Sequence, residues 1–189
     1  MRFNKHSDLE GRHSFMSPSS PAWHRYDDQK LERRFVEHLA HIRGTEEHIF
    51  AAQAIKLGHR MEDLPKTINM YVNDCIGWRM KPEVPLYWSD FCFGTADALG
   101  FYESQMLLRV SDLKTGRTAT TMDQLVTYCA LFCLEYEFSK PWELDFECRI
   151  YQSNKIKLHI PDADEVFHVM DRILTGTRLL EEIRADYRS

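Results

Sequence analysis

The sequence predicts an α/β chain, a mixed central β-sheet flanked by helices, in a single domain. Three observations carry this. Apolar residues recur at helical spacing up to about residue 80, then at every second position from about residue 84, and the two patterns alternate from there to the end. The 189 residues are enough for one sizeable core. No internal repeat, low-complexity tract or linker divides them.

The elements follow in order. Residues 1–13 are charged and aperiodic and read as a flexible N-terminal tail, which leaves 14–189 as the folded domain. DQKLERRFVEHLAHIRG sets Leu31, Phe35, Leu39 and Ile42 on one helical face, closed by Gly44. Thr45 is then the expected N-cap of a second helix, TEEHIFAAQAIKLG, ending at Gly58, with Glu46 and Glu47 favoured by the dipole of its first turn. PKTINMYVNDCIGWRM predicts a short helix with Ile68, Tyr71, Val72 and Cys75 on one side. VPLYWSD, FGTADAL and MLLRVSDLK alternate as strands, with Gly100 to Ser104 turning the last pair. TMDQLVTYCALFCLEY returns to helical spacing. LDFECRIYQ and KIKLHI predict a hairpin turning at Ser153-Asn154, and residues 162–189 a closing helix.

Composition narrows the function classes. A hydrophobic share of 43% with 28% charged residues suits a soluble globular chain. No run of eighteen apolar residues is present and the N-terminus has no apolar signal region, so a cytoplasmic protein without membrane contact is expected. A net charge of −5 argues against a protein that coats nucleic acid. It is compatible with an enzyme whose acids hold cations. Five cysteines without a CxxC pair read as buried free thiols.

The chemistry-bearing stretch is GTADALGFYESQMLLRVSDLKTG, residues 94–116. Residues two apart in a strand share a face, so Asp112 and Lys114 point the same way. An antiparallel turn folds Asp97 back alongside them. An Asp–Lys pair on an edge strand is worth little by itself. Two carboxylates in a covered sheet are another matter, because they repel and burial raises the cost. A divalent cation resolves the conflict, and Mg²⁺ or Mn²⁺ takes carboxylate, carbonyl and water oxygens. The Leu113 carbonyl is a further candidate ligand. Lys114 is placed to orient or deprotonate a water, an arrangement suited to phosphodiester hydrolysis.

G-T-A-D…D-L-K-T-G resembles the PD-(D/E)XK nuclease superfamily, in particular its RecB-like exonuclease branch, which contains phage exonucleases and CRISPR-associated RecB-like proteins. Two further motifs fall in the family's order. Arg43-Gly44-Thr45-Glu46-Glu47-His48 matches an upstream helix bearing a metal-binding histidine, and Gln124-Leu125-Val126-Thr127-Tyr128 matches a downstream Q-x-x-x-Y helix. The matching motifs span residues 43–128.

The resemblance implies a restriction-endonuclease-like core with Asp97, Asp112, the Leu113 carbonyl and His48 holding Mg²⁺ or Mn²⁺. An imidazole ligand tilts the preference toward Mn²⁺. It implies Lys114 and Gln124 in catalysis, and Tyr128 and Arg117 near DNA. Ser19 and Arg25 would meet a 5′-phosphate, as N-terminal helices do in some phage exonucleases. The implied substrate is linear DNA ends, processed for phage-type recombination. Implied partners are further copies in a ring, or a single-strand annealing protein. No GxxxxGK[ST] is present, so unwinding would come from a helicase partner. The four-cysteine pattern of iron–sulfur members is missing, so no cluster is expected. Two rivals share the core: an endonuclease or nickase, and a non-catalytic protein that binds DNA ends or a partner.

Overall fold

Five strands form one sheet in chain order in a computed structural model that describes residues 14–116, 118, 120–138 and 140–187. They are β1 (Lys81–Ser89), β2 (Cys92–Tyr102), β3 (Leu107–Lys114), β4 (Asp145–Gln152) and β5 (Lys155–His159). The expected tail, residues 1–13, lies outside the described residues. Every neighbouring pair is antiparallel except β3 and β4, which run parallel. A parallel pair needs a crossover, and α3 (Asp123–Glu135) supplies it. The sheet is therefore mixed, as the sequence predicts.

The period of two sorts side chains onto two faces. Leu108, Val110, Phe146, Cys148 and Ile150 enter one core with α3 and α4 (Ala163–Asp186). Leu113 and Tyr151 enter another with Ala51, Ala54 and Ile55 of α1 (Asp28–Leu57) and Tyr71, Val72 and Cys75 of α2 (Thr67–Gly77). Helices thus cover both faces, which is what a parallel pair requires. Four of the five cysteines are buried, and burial pushes the Cys133 thiol up to about 12. Such thiols are inert packing groups.

The chain divides into two compact units, Met1–Thr45 and Glu46–Ser189, and the sheet with both cores belongs to the second. In the first, a 3₁₀ turn spans Pro21–Arg25, the Trp23 indole donates to the Ser17 carbonyl at 3.1 Å, and Asp27 accepts from the Lys30 amide at 2.8 Å where α1 begins. No described helix is long and apolar enough to cross a membrane.

Two expected boundaries move. The helix expected to close at Gly44 continues unbroken from Asp28 to Leu57. Thr45 caps nothing, because its hydroxyl donates to the His41 carbonyl at 3.1 Å, as a threonine inside a helix does. Glu46 and Glu47 are interior residues of that helix, not first-turn acids. One interior glycine costs about 1 kcal/mol, too little to break a helix with apolar positions on both sides of it.

The second shift concerns Gly100. It was expected in a turn but lies within β2, and the chain reverses instead through Glu103–Gln105 and Met106, whose φ is 49°. Gly100 is there for a close approach. A Cβ added to it would stand 2.7 Å from the Tyr102 hydroxyl and 3.2 Å from Met80, and that hydroxyl donates to the Trp78 carbonyl at 2.6 Å. Gly100→Ala is expected to destabilise the chain by about 1–3 kcal/mol through overpacking. A urea midpoint equal to wild type would show that Tyr102 leaves Trp78 at no cost.

The second hairpin turns where the sequence places it. Ser153 and Asn154 take φ of 51° and 58°, the two-residue turn whose twist matches its strands. Asp162 caps α4 by accepting from the Glu165 amide at 2.8 Å.

Candidate active site

The site arises where the alternation of β2 fails. Residues two apart in a strand share a face, yet Ala96 packs in the core under α3 while Ala98 packs in the core under α2. The break falls on Asp97. Opposite it, β1 pairs Pro82 with Ala98 and Val84 with Ala96, and Glu83 between them has a φ of 53°. The pairing of β2 with β3 stops at the same place, with Ala98 opposite Ser111 as its last pair. Beyond it the two strands part.

Backbone groups facing that gap need other partners. The Leu113 amide finds one in the Asp97 carboxylate, donating to Oδ2 at 2.9 Å. In a strand, the carbonyl and amide of one residue leave on the same side, so the Leu113 carbonyl also faces the gap. His48, from α1, brings Nδ1 within 3.3 Å of Asp97 Oδ2. That hydrogen bond holds the imidazole above its ordinary value; burial opposes it, and the charges of Asp97 and Asp112 add to it.

Asp112 is 2% exposed. Its Oδ1 accepts from Lys114 Nζ at 3.0 Å, while its Oδ2 is buried without a partner. Burial, then the negative charge of Asp97, raises its carboxyl, with Lys114 and His48 acting against them. A buried carboxylate oxygen left unpaired is costly, and a structural role alone gives no reason to keep it.

Lys114 also donates to Gln124 Oε1 at 3.0 Å, which brings the first turn of α3 to this gap. Four residues on, the Tyr128 hydroxyl donates to the Thr95 carbonyl at 2.7 Å, and its ring packs so closely on Gly94 that an added Cβ would stand 3.2 Å away. Tyr128 thereby ties the parted end of β2 to α3, two residues from Asp97. Motif spacing could not reveal this contact, because its acceptor is a backbone carbonyl.

His48, Asp97, Asp112, Leu113, Lys114, Gln124 and Tyr128 thus gather around one gap in the sheet. Arg117 lies outside the described residues. Ser19 and Arg25 are exposed residues of the N-terminal unit, where the Ser19 hydroxyl meets that of Ser17 at 2.8 Å. No family model, curated protein or solved structure matches the chain.

Among the described residues, no three His, Cys, Asp or Glu side chains stand close enough together to form a cage for a metal ion. The donor types nevertheless suit a hard or borderline divalent ion: two carboxylates, an imidazole and a main-chain carbonyl. The unpartnered Asp112 oxygen is the feature such an ion would satisfy.

Proposed function

We propose that the chain is a divalent-metal-dependent deoxyribonuclease that hydrolyses phosphodiester bonds at linear DNA ends, an exonuclease of the PD-(D/E)XK superfamily in its RecB-like branch. In this reading the parted β2 and β3 form the active edge of a restriction-endonuclease-like core. The observation that carries the proposal is the buried, unpartnered Asp112 oxygen beside Lys114.

Asp97, Asp112, the Leu113 carbonyl and His48 would hold Mg²⁺ or Mn²⁺. When bound, such an ion offsets negative charge developing on the phosphate. The protein's own groups do the rest. An ammonium has three donors, and Lys114 spends two of them on Asp112 and Gln124. The third remains for the attacking water or a phosphate oxygen. Gln124 fixes the Lys114 rotamer, and Asp97, anchored on the Leu113 amide, keeps the gap open.

The test is digestion of end-labelled linear duplex beside a covalently closed circle, with Mg²⁺ or Mn²⁺. Asp112→Ala and Lys114→Ala run in parallel. Loss of the linear DNA alone, abolished by both substitutions, is the expected result. Cutting of the circle would replace the exonuclease by an endonuclease or nickase. No cleavage of either DNA with both metals would sink the enzymatic reading and leave a binding protein.

A further inference from the structure

Eight residues, 115–122, connect the strand that ends in Lys114 to the helix that begins at Asp123. This connection leads into the helix that carries Gln124, and among its described residues the Thr121 hydroxyl donates to the Asp123 carboxylate at 2.8 Å. Met122, at the N-cap of α3, makes no side-chain capping bond, and a Cβ added at Gly116 would meet nothing within 4 Å. An uncapped start leaves the entry angle of a helix to be set from elsewhere.

The neighbouring strands set it. Gln152 closes β4 directly opposite Lys114 in the parallel register. Its Nε2 donates to the Gly116 carbonyl at 2.7 Å and to the Thr118 carbonyl at 2.9 Å. Its Oε1 faces the Thr120 hydroxyl at 3.4 Å. From β5, Lys157 Nζ donates to the Thr120 carbonyl at 3.1 Å. Three alternate carbonyls of the connection are thus held by two side chains from outside it. Carbonyls cannot donate, so only a group with two N–H bonds serves at the Gln152 position.

We propose that Gln152 is a positioning residue of the candidate active site, clamping the 115–122 connection so that Gln124 stays seated on Lys114. Its catalytic consequence rests on the nuclease reading; its structural consequence does not. A misplacement of about 1 Å at a reacting group can cost up to about a hundredfold in rate. Loss of the clamp should therefore lower kcat rather than weaken substrate binding.

The test compares Gln152→Glu, the same shape with no donors, and Gln152→Lys, which keeps donors. Amide hydrogen exchange is followed in the peptide spanning 115–122 and, separately, kcat and KM on linear duplex with Mn²⁺. Gln152→Glu is expected to speed exchange in that peptide at least tenfold, with peptides of β1 and α4 unchanged. It should lower kcat at least tenfold with KM within twofold. Gln152→Lys should stay within threefold of wild type in each. If wild type cleaves no DNA, the nuclease reading falls and exchange alone judges the clamp. Should Gln152→Glu fail to fold, Gln152→Lys decides, and its loss of activity or loop protection would overturn the proposal. So would wild-type exchange and kcat in Gln152→Glu.

Discussion

Asp112→Asn is expected to abolish cleavage and, in metal-free buffer, to make the protein more stable. Both effects come from the same atom. Asp112 is 2% exposed, and its Oδ2 has no partner. At neutral pH the native state therefore bears a desolvated charge that the unfolded chain leaves in water, with Asp97 adding repulsion. An amide has the same shape and no charge. Lys114 loses an ionic partner in the exchange, but it is still held by Gln124 and its side chain is 28% exposed, so little is lost there. The amide nitrogen is as unpaired there as the oxygen it replaces, so the gain comes from removing the desolvated charge alone; on the order of 1 kcal/mol, it should appear as a higher melting temperature.

Metal reverses the order. A ligand that binds only the native state stabilises by about 2.7 kcal/mol at a hundred times its Kd. Mn²⁺ should therefore raise the melting temperature of wild type and leave the Asp112→Asn protein unmoved. An Asp112→Asn protein that is less stable than wild type and still responds to Mn²⁺ would show a paired, structural carboxylate. The nuclease reading would then lose its central observation.

How much of this was legible in the sequence depends on which rule each residue obeys. Strand periodicity placed Asp112 and Lys114 on one face, and helix periodicity placed Gln124 and Tyr128 together. Both are local patterns, and both pairs are found as the pattern predicts. The Ser153-Asn154 turn was equally local. Gly44 and Gly100 misled because a glycine is read as punctuation. Gly44 sits inside a helix that carries on through it, and Gly100 makes room for the Tyr102 ring that follows two residues later. The break of alternation at Asp97 was invisible for another reason. Ala96 and Ala98 are both small and apolar, so the sequence looks the same whether or not the strand changes face between them. That break is nonetheless what turns Asp97 toward Leu113. The bonds donated by Tyr128 and Gln152 are accepted by the backbone carbonyls of Thr95 and Gly116, which carry no residue identity.

Lys114→Met is expected to lower kcat about a thousandfold or more, and it also lowers stability, because Asp112 Oδ1 then loses its partner as well. The methionine stem preserves the packing of the lysine's methylenes, and only the ammonium is removed. Among the described residues, that group is the one cation that donates to both Asp112 and Gln124, at 3.0 Å to each. Removing a single positioned acid, base or charge-stabilising donor typically costs a hundredfold to ten-thousandfold. Lys114→Arg should not restore the rate, because a planar fork cannot reproduce a compact ammonium between a carboxylate and an amide oxygen. Gln124→Ala should cost less, about tenfold, since Gln124 acts on the reaction by holding Lys114. The decisive measurement is the double variant. If Gln124 works through Lys114, then adding Gln124→Ala to Lys114→Met changes kcat no further. A second tenfold loss on top of the first would mean that Gln124 touches the substrate itself, and its role would have to be moved from orienting the lysine to binding the DNA.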